Sequence, residues 1–371
     1  MSFNEKKIQY LVGNANFTND ASLPYNDLVC KFLDSFSKEL LNSKSSKEFS
    51  DLGTLAFWCR KQNILNLKRK FISSEFRKGL GLVFHITPSN IPTNFAYSLL
   101  FGLLTGNTNV VKVPSKKFQQ IDIVCSIIKK ILKQKKFVTL KKKIIILRYT
   151  ENDELTKKIS LICDARLIWG GDKSVNEIRK FKTKEKVLDI AFSDKFSFCV
   201  INAQKVTQLN KFDFDRLVER FYNDTYLVDQ NACSSPHLVL WMNDKFEKGQ
   251  NLFWKRLNHY LKKNYHMPKI SSVDKFTKLY GDIINLKNFQ KYQTFDNLIY
   301  IISLKKLDRS INNLRGKWGY FYQFNITNLG QIFKNLEFGI IFLINFILSD
   351  ETRYIILPLL FGKVNIASEL I

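Results

Sequence analysis

Residues 80–116 read LGLVFHITPSNIPTNFAYSLLFGLLTGNTNVVKVPSK, and this stretch decides the fold. Its first run, 81–86, is apolar without polar alternation, as a strand covered on both faces requires. Pro88 and Pro92 then stop the strand and set a turn around Asn90. A helix is predicted through Phe95–Leu104, closed by Gly106 and Asn107. Asn109–Val113 reads as a second buried strand with Lys112 near its end. Two such strands joined by a helix of this length make a parallel βαβ unit.

Working outward, the same alternation continues. A helix is expected over 117–133, a strand over 143–149, a helix over 152–161, a strand over 165–169, a Gly170-Gly171 turn and a helix over about 173–181. Repeated βα units predict an α/β chain with a doubly wound, nucleotide-binding type of domain. A strand at 196–201 and a helix over 212–227 follow, then strands near 237–241, 298–303 and 319–324 and a long basic helix near 245–263. Upstream, Leu28, Phe32, Phe36 and Leu40 recur at helical spacing, 48–65 continues in a helical style, and 1–23 reads as loosely structured. The expected division is an N-terminal helical segment (1–60), a cofactor-binding domain (61–205), a second α/β domain (206–345) and a C-terminal segment (346–371).

The bulk composition narrows the function classes. With 371 residues and 45% hydrophobic side chains, the chain has material for two packed cores. The formal net charge of +25 suits a polyanionic ligand or partner. Of the 58 basic residues, 46 are Lys and 12 are unclustered Arg, so nucleic-acid binding is not expected. The six Cys show no C-x-x-C pair and no zinc-ligand spacing, so no metal is expected. MSFNEKKIQY lacks the apolar core of a signal peptide, which predicts a reducing cytoplasm and free thiols. The apolar stretches 95–104 and 338–348 are too short to span a bilayer, so stable membrane insertion is not expected.

Taken alone, the candidate site residues keep bland readings open. Asn90 between two prolines is an Asx turn or cap as readily as an aimed amide. Lys112 at a strand end is ordinarily solvent-facing. Gly170-Gly171 permits a phosphate to approach the backbone, but many βα turns carry Gly for steric reasons. In DQNACSSPHLVLW (229–241), Cys233 is one thiol among six, and a buried inert Cys is the safer reading of the residues alone. His237 is a structural residue with a weaker claim to tuning that thiol, and His85 inside the first strand reads as a satisfied core histidine.

A resemblance changes these weights. The pattern G-x-V-x-x-I-x-P-S-N-x-P followed by G-N-x-x-V-x-K is similar to the cofactor and oxyanion region of the aldehyde dehydrogenase superfamily. It most resembles the long-chain acyl-CoA (acyl-protein thioester) reductase branch of bacterial bioluminescence systems. IWGGDKSVNEIR (168–179) and DQNACSSPHLVLW resemble that branch too, in the right order. The resemblance covers about 79–242, fades toward the N-terminus and is diffuse beyond 300.

It implies an aldehyde dehydrogenase-like fold and assigns roles. Cys233 matches the nucleophile that takes up the acyl group, and Asn90 the amide of the oxyanion hole, acting with the Cys233 backbone N–H. Lys112 matches the adenosine-ribose or 2′-phosphate contact. Gly170 and Gly171 match the pyrophosphate turn, and Thr87 and Pro88 belong to the same cofactor region. The implied reaction is reduction of an acyl thioester to an aldehyde with NADPH, NADH being second choice. Implied partners are acyl-CoA or an acyl-carrying protein, an acyl-protein synthetase, an acyl transferase and further copies of the chain as a homo-oligomer.

Two departures matter. Hydrolytic members carry a Glu in Glu-Leu-Gly-Gly-Lys, whereas VLDIAFSDKFSF (187–198) offers only Asp189 and Asp194, so water attack on an acyl-enzyme should be slow. Asp189 reads as a surface or structural acid. No nicotinamide-ribose contact is assigned: Glu337-Phe-Gly339 stands in the wrong context, and RGKWGYF (315–321) has no Glu. Two other functions stay open. One is an aldehyde dehydrogenase running toward acid or acyl-CoA. The other is a non-catalytic basic binding protein on this scaffold.

Overall fold

The computed structural model describes residues 8–71, 76–149, 153–192, 196–243, 246–307, 313–328, 330–333, 342–346 and 353–357. The chain divides into two compact units, 1–194 and 195–371.

The first unit begins with β1 (Gln9–Val12), then α1 (Asp27–Asn42), α2 (Ser50–Trp58) and α3 (Lys61–Phe71). The Asn26 side chain caps α1 by accepting from the Leu28 N–H at 2.9 Å. Val29, Phe32, Leu33, Phe36 and Leu40 line its buried stripe. The alternation follows: β2 (Leu82–Ile86), α4 (Asn94–Leu104), β3 (Thr108–Val113), α5 (Gln119–Leu132), β4 (Ile144–Arg148), α6 (Asp153–Ile162), β5 (Ala165–Trp169), α7 (Asp172–Arg179) and β6 (Leu188–Phe192).

These strands form one sheet in the order β1-β4-β3-β2-β5-β6. β2 to β6 run parallel, and every residue of β2 and β4 is buried, the pattern of strands covered on both faces. One core packs α1, α2, α4 and α5 against one face, and a second packs α6 and α7 against the other. Residues 9–12, expected to be loose, instead pair antiparallel with β4. This closes a sheet edge that would otherwise expose unpaired backbone groups.

The second unit contains β7 (Phe198–Asn202), α8 (Ala203–Val206), α9 (Lys211–Thr225), β8 (Leu238–Met242), α10 (Phe246–Asn264), α11 (Lys269–Asn285), β9 (Phe289–Phe295), β10 (Ile299–Leu304), β11 (Tyr320–Ile326), α12 (Gly330–Phe333), β12 (Phe342–Phe346) and β13 (Arg353–Leu357). Its sheet runs β13-β12-β7-β8-β11-β10-β9, parallel through the middle and antiparallel at both edge pairs. One face buries Trp241, Phe253, Trp254 and Phe321 beneath α9 and α10. The other buries Phe198, Leu240, Tyr320 and Tyr322 with Leu279 of α11. Each such fully buried side chain contributes roughly 1.5–3 kcal/mol.

Candidate active site

In the first unit the chain lays down β2, β3 and β4 outward in one direction. It then returns to place β5 on the opposite side of β2. The crevice at the carboxyl ends of β2 and β5 is therefore a topological switch point, where α/β sheets bind their ligands. Thr87 and Pro88 follow β2 there, Lys112 stands at the end of β3, and Gly170 and Gly171 follow β5. The fold thus brings five predicted residues to one edge of one sheet.

Thr87 is buried, and its N–H and hydroxyl both donate to the Lys112 carbonyl, at 3.2 and 2.8 Å. It holds the ends of β2 and β3 together. The half-buried Lys112 places its ammonium 4.9 Å from the centre of the buried Tyr149 ring. Asn90 is exposed on the loop between β2 and α4.

The two glycines fit a cofactor phosphate. A Cβ at Gly171 would meet nothing within 4 Å, and one at Gly170 only the Ser174 side chain, Cβ at 3.3 Å and Oγ at 3.9 Å. Gly171 has φ −66°, which any residue adopts. Neither backbone strain nor packing requires glycine at 171, and the open space in front of it is what a ligand's close approach needs.

Behind this edge runs a buried polar relay. The Trp169 indole donates to Ser98 Oγ at 3.2 Å, and Ser98 Oγ lies 2.8 Å from His85 Nδ1. His85 Nε2 lies 2.9 Å from Asn109 Oδ1, whose amide nitrogen donates to the Asn107 carbonyl. Complete burial lowers His85 to about 4, so the ring is neutral, a satisfied core histidine as its sequence context suggests. Gly102 is obligatory here, because a Cβ would collide with Asn109 Oδ1. Trp169 also stacks on Phe192, with ring centres 3.9 Å apart.

Asp189 is not available as a base. Its carboxylate takes a bidentate pair from the buried Arg166, Nε to Oδ1 at 2.7 Å and Nη2 to Oδ2 at 2.5 Å, across the β5–β6 register. Asp194 and Glu337-Phe-Gly339 lie outside the described residues.

In the second unit, Cys233 is the one exposed thiol of the six; Cys30 is half-buried and the other four are buried. Burial raises those five above the usual thiol range, Cys163 to about 11 and Cys125 to about 12. The loop that presents Cys233 starts with two left-handed residues, Asp229 (φ 52°) and Gln230 (φ 59°). Neither is glycine, so the surroundings must hold them there.

Gln230 does much of that holding. It is 2% exposed. Its amide nitrogen donates to the carbonyls of Pro236 and Tyr320, both at 3.1 Å, and its oxygen accepts from the N–H groups of Gly319 and Tyr320 at 3.0 and 3.1 Å. The Tyr265 hydroxyl donates to Asp229 Oδ1 at 2.5 Å, and the Trp318 N–H to the Asp229 carbonyl. The Ser235 hydroxyl donates to the Asp224 carbonyl at 2.7 Å, and Ser197 Oγ to the carbonyl of Cys233 itself at 2.6 Å.

Behind the loop, the buried Lys275 donates to the carbonyls of Asn297, Leu298 and Trp318, and burial brings it down to about 7. His237 accepts from the Gly316 N–H at Nδ1, and burial, with the Arg315 guanidinium, lowers it to about 4. It is a neutral structural ring that anchors residues 315–316. The sequence singles out Cys233 but not Gln230, Ser197 or Lys275. Their partners are backbone groups up to ninety residues away, and no local pattern marks them.

Among the described residues, no group of His, Cys, Asp and Glu could hold a metal, and no helix is long and apolar enough to cross a membrane.

Two mainly parallel sheets, each covered by helices on both faces, make the architecture of an aldehyde dehydrogenase-like fold. Solved structures bear this out. Aldehyde dehydrogenase KauB from Pseudomonas aeruginosa superposes with a TM-score of 0.61 at 12% identity, covering 85% of this chain and 71% of that one. Aldehyde dehydrogenase 21 from Physcomitrella patens gives 0.58 at 12% identity, covering 85% and 72%. Within that fold the chain belongs to the acyl-CoA reductase (LuxC) family, whose model matches residues 27–279. The long-chain acyl-protein thioester reductase of Aliivibrio fischeri is 25% identical over 183 residues, 49% of this chain and 36% of the relative. That of Photorhabdus luminescens is 25% identical over 187 residues, 50% and 36%. The matched stretch thus spans about a third of these relatives' length.

Proposed function

We propose that this protein reduces an acyl thioester, acyl-CoA or an acyl-carrying protein with a fatty acyl chain, to the aldehyde. The observation that carries the reading is Cys233, the one exposed thiol, on a loop held by Gln230, Ser197 and Ser235 in a chain of the acyl-CoA reductase family.

The Cys233 thiolate attacks the thioester carbonyl. The bond to the donor sulfur breaks, the donor leaves as a thiol after taking up a proton, and the acyl group remains on Sγ. By the family resemblance, the Asn90 amide and the Cys233 N–H stabilise the oxyanion. The hydrogen bond from Ser197 to the Cys233 carbonyl fixes the peptide plane at the nucleophile. A nicotinamide cofactor, NADPH by preference, supplies the hydride. Thr87, Pro88, Lys112, Gly170 and Gly171 are its proposed contacts, with the Lys112 ammonium toward the adenosine ribose. Asp189, locked to Arg166, leaves the acyl-enzyme without that carboxylate as a base for water, which favours reduction over hydrolysis.

Intact-mass analysis tests this directly. Mixed with a fatty acyl-CoA and no cofactor, the protein should gain one acyl mass, and Cys233→Ala should gain none. An adduct that persists in Cys233→Ala would falsify the assignment. NADPH oxidation with matching aldehyde release tests the second half.

A further inference from the structure

Lys275 is a buried cation of the second unit that the chemistry above leaves unused. It stands on the inner side of α11 and is 2% exposed. Its ammonium donates to the carbonyls of Asn297 and Trp318, each at 2.8 Å, and of Leu298 at 3.2 Å. It also lies 4.4 Å from the centre of the Tyr300 ring. Among the described residues no carboxylate pairs with it, and burial alone accounts for its lowered pKa. An apolar side chain would fill this place at less cost than an unpaired cation. What the ammonium holds is therefore the feature to explain.

The three carbonyls belong to two turns at one end of the sheet. Asn297 and Leu298 precede β10, and Trp318 precedes β11. β8, β11 and β10 run parallel, so the Cys233 loop, which precedes β8, shares that end. Trp318 is left-handed, with φ 55°, and needs outside support to stay so. Its N–H donates to the Asp229 carbonyl at 3.3 Å, and the next two N–H groups, of Gly319 and Tyr320, donate to Gln230. Backbone 318–320 thus carries Lys275 on one side and the start of the Cys233 loop on the other. A second route runs through the Leu298 carbonyl, which Lys275 shares with the Tyr226 hydroxyl; the Tyr226 carbonyl accepts from the Asp229 N–H.

We propose that Lys275 is a positioning residue for Cys233: through the Trp318 and Leu298 carbonyls it fixes the direction in which the nucleophile loop presents its sulfur. The inference rests on the reading of Cys233 as the acyl acceptor. Lys275 acts as the ammonium, which has a hydrogen for each carbonyl. The neutral amine has two, and its lone pair must face the third oxygen, so one tie opens. Burial brings Lys275 to about 7, which puts that change near neutrality. Its neighbours titrate elsewhere or are engaged. Burial raises Tyr226 and Tyr300, and His237 is lowered to about 4. Asp296 is held by Asn258 and Lys262, Asp229 by Tyr265, and Asp282 by Lys278 and two tyrosines. The other ionisable side chains on these elements are Asp274, Arg315, Lys317 and the exposed His266.

The test compares two reactions of Cys233 in the full chain, both read by peptide mass. One is acylation by the octanoyl thioester of N-acetylcysteamine, an uncharged donor, which needs an aimed sulfur. The other is alkylation by iodoacetamide, which does not. Both consume the thiolate, so the ratio of their rates cancels the thiol's own titration and leaves the aim. In the wild type this ratio is expected to fall roughly fivefold between about pH 6 and about pH 8.5. Lys275→Met keeps the stem and loses the donors. Its ratio should lie about tenfold below wild type at about pH 6 and stay flat with pH. A residue that only supported the fold would lower the melting temperature and leave the ratio alone. The proposal is overturned by a flat ratio in the wild type, a measurement that needs no variant. It is equally overturned by a wild-type ratio in Lys275→Met, or by a pH dependence that persists there, which would point to His266. Alkylation of the wild type without any octanoylation overturns the acyl-acceptor reading, and this inference with it.

Discussion

The two loops that the family resemblance marks as catalytic are held in opposite ways. The Cys233 loop is tied from a distance: Gln230 spends both ends of its amide on residues 236, 319 and 320, and Ser197 and Tyr265 add bonds from two further stretches of chain. The Asn90 loop is stiffened mainly by its own chain. Pro88 and Pro92 fix their φ angles, Thr87 ties its start to Lys112, and Asn94 donates back to the Ile91 carbonyl at 3.2 Å. A nucleophile that must form a bond needs its direction fixed against the whole unit. An amide that only donates a hydrogen bond can be aimed by a short rigid turn. Damage should therefore appear as lost stability in one loop and lost rate in the other.

The sharpest way to break this contrast is Gln230→Ala. It strips partners from two buried N–H groups and two buried carbonyls, at roughly 1–3 kcal/mol for each group left unmade and partly relieved by relaxation, so about 4 kcal/mol of unfolding free energy should be lost. Chemical denaturation reads it, and a loss below about 1 kcal/mol would mean the loop holds itself. Next, Asn90→Ala should cost about 10²–10³ in kcat, the scale of one oxyanion donor. Its melting temperature should move little, because the side chain is exposed. Equal losses of stability at Asn90 and Gln230 would erase the contrast. The smallest effect belongs to Ser197→Ala, which removes one hydrogen bond to the Cys233 carbonyl, about 1 kcal/mol. It should slow acylation of Cys233 measurably while leaving cofactor affinity alone.

How much of this was legible in the sequence follows from the range of the interactions. β2, α4, β3 and β5 were readable because buried parallel strands are apolar throughout and their helices alternate with them in order. Cys233 and Asn90 were readable only through the resemblance, since their own neighbours allow a core thiol and an Asx turn. β1 was missed because four residues pairing with a distant edge strand carry no periodicity of their own. α11 was missed for a different reason. Ile270, Val273, Phe276, Tyr280 and Ile284 do recur at helical spacing, but this apolar side faces outward while the inner side holds Ser271 and Lys275, the reverse of the usual core-facing stripe. Gln230 could not be ranked above any other polar residue until β8 and β11 were paired and brought residues 236 and 320 to its amide.

The exposure of one thiol among six has a consequence for wear. Electrophiles and peroxides in the surroundings meet Cys233 first, so the atom that does the proposed chemistry is also the one that ages. Within the second unit the other cysteine, Cys199, is buried and cannot pair with it without opening that core. A sulfenic acid formed there finds no accessible thiol in its own unit to condense with, and the next step, to the sulfinic acid, is not reversed by thiols. The working life of each molecule is then set by how often that single sulfur is occupied by acyl group rather than left open to oxidant.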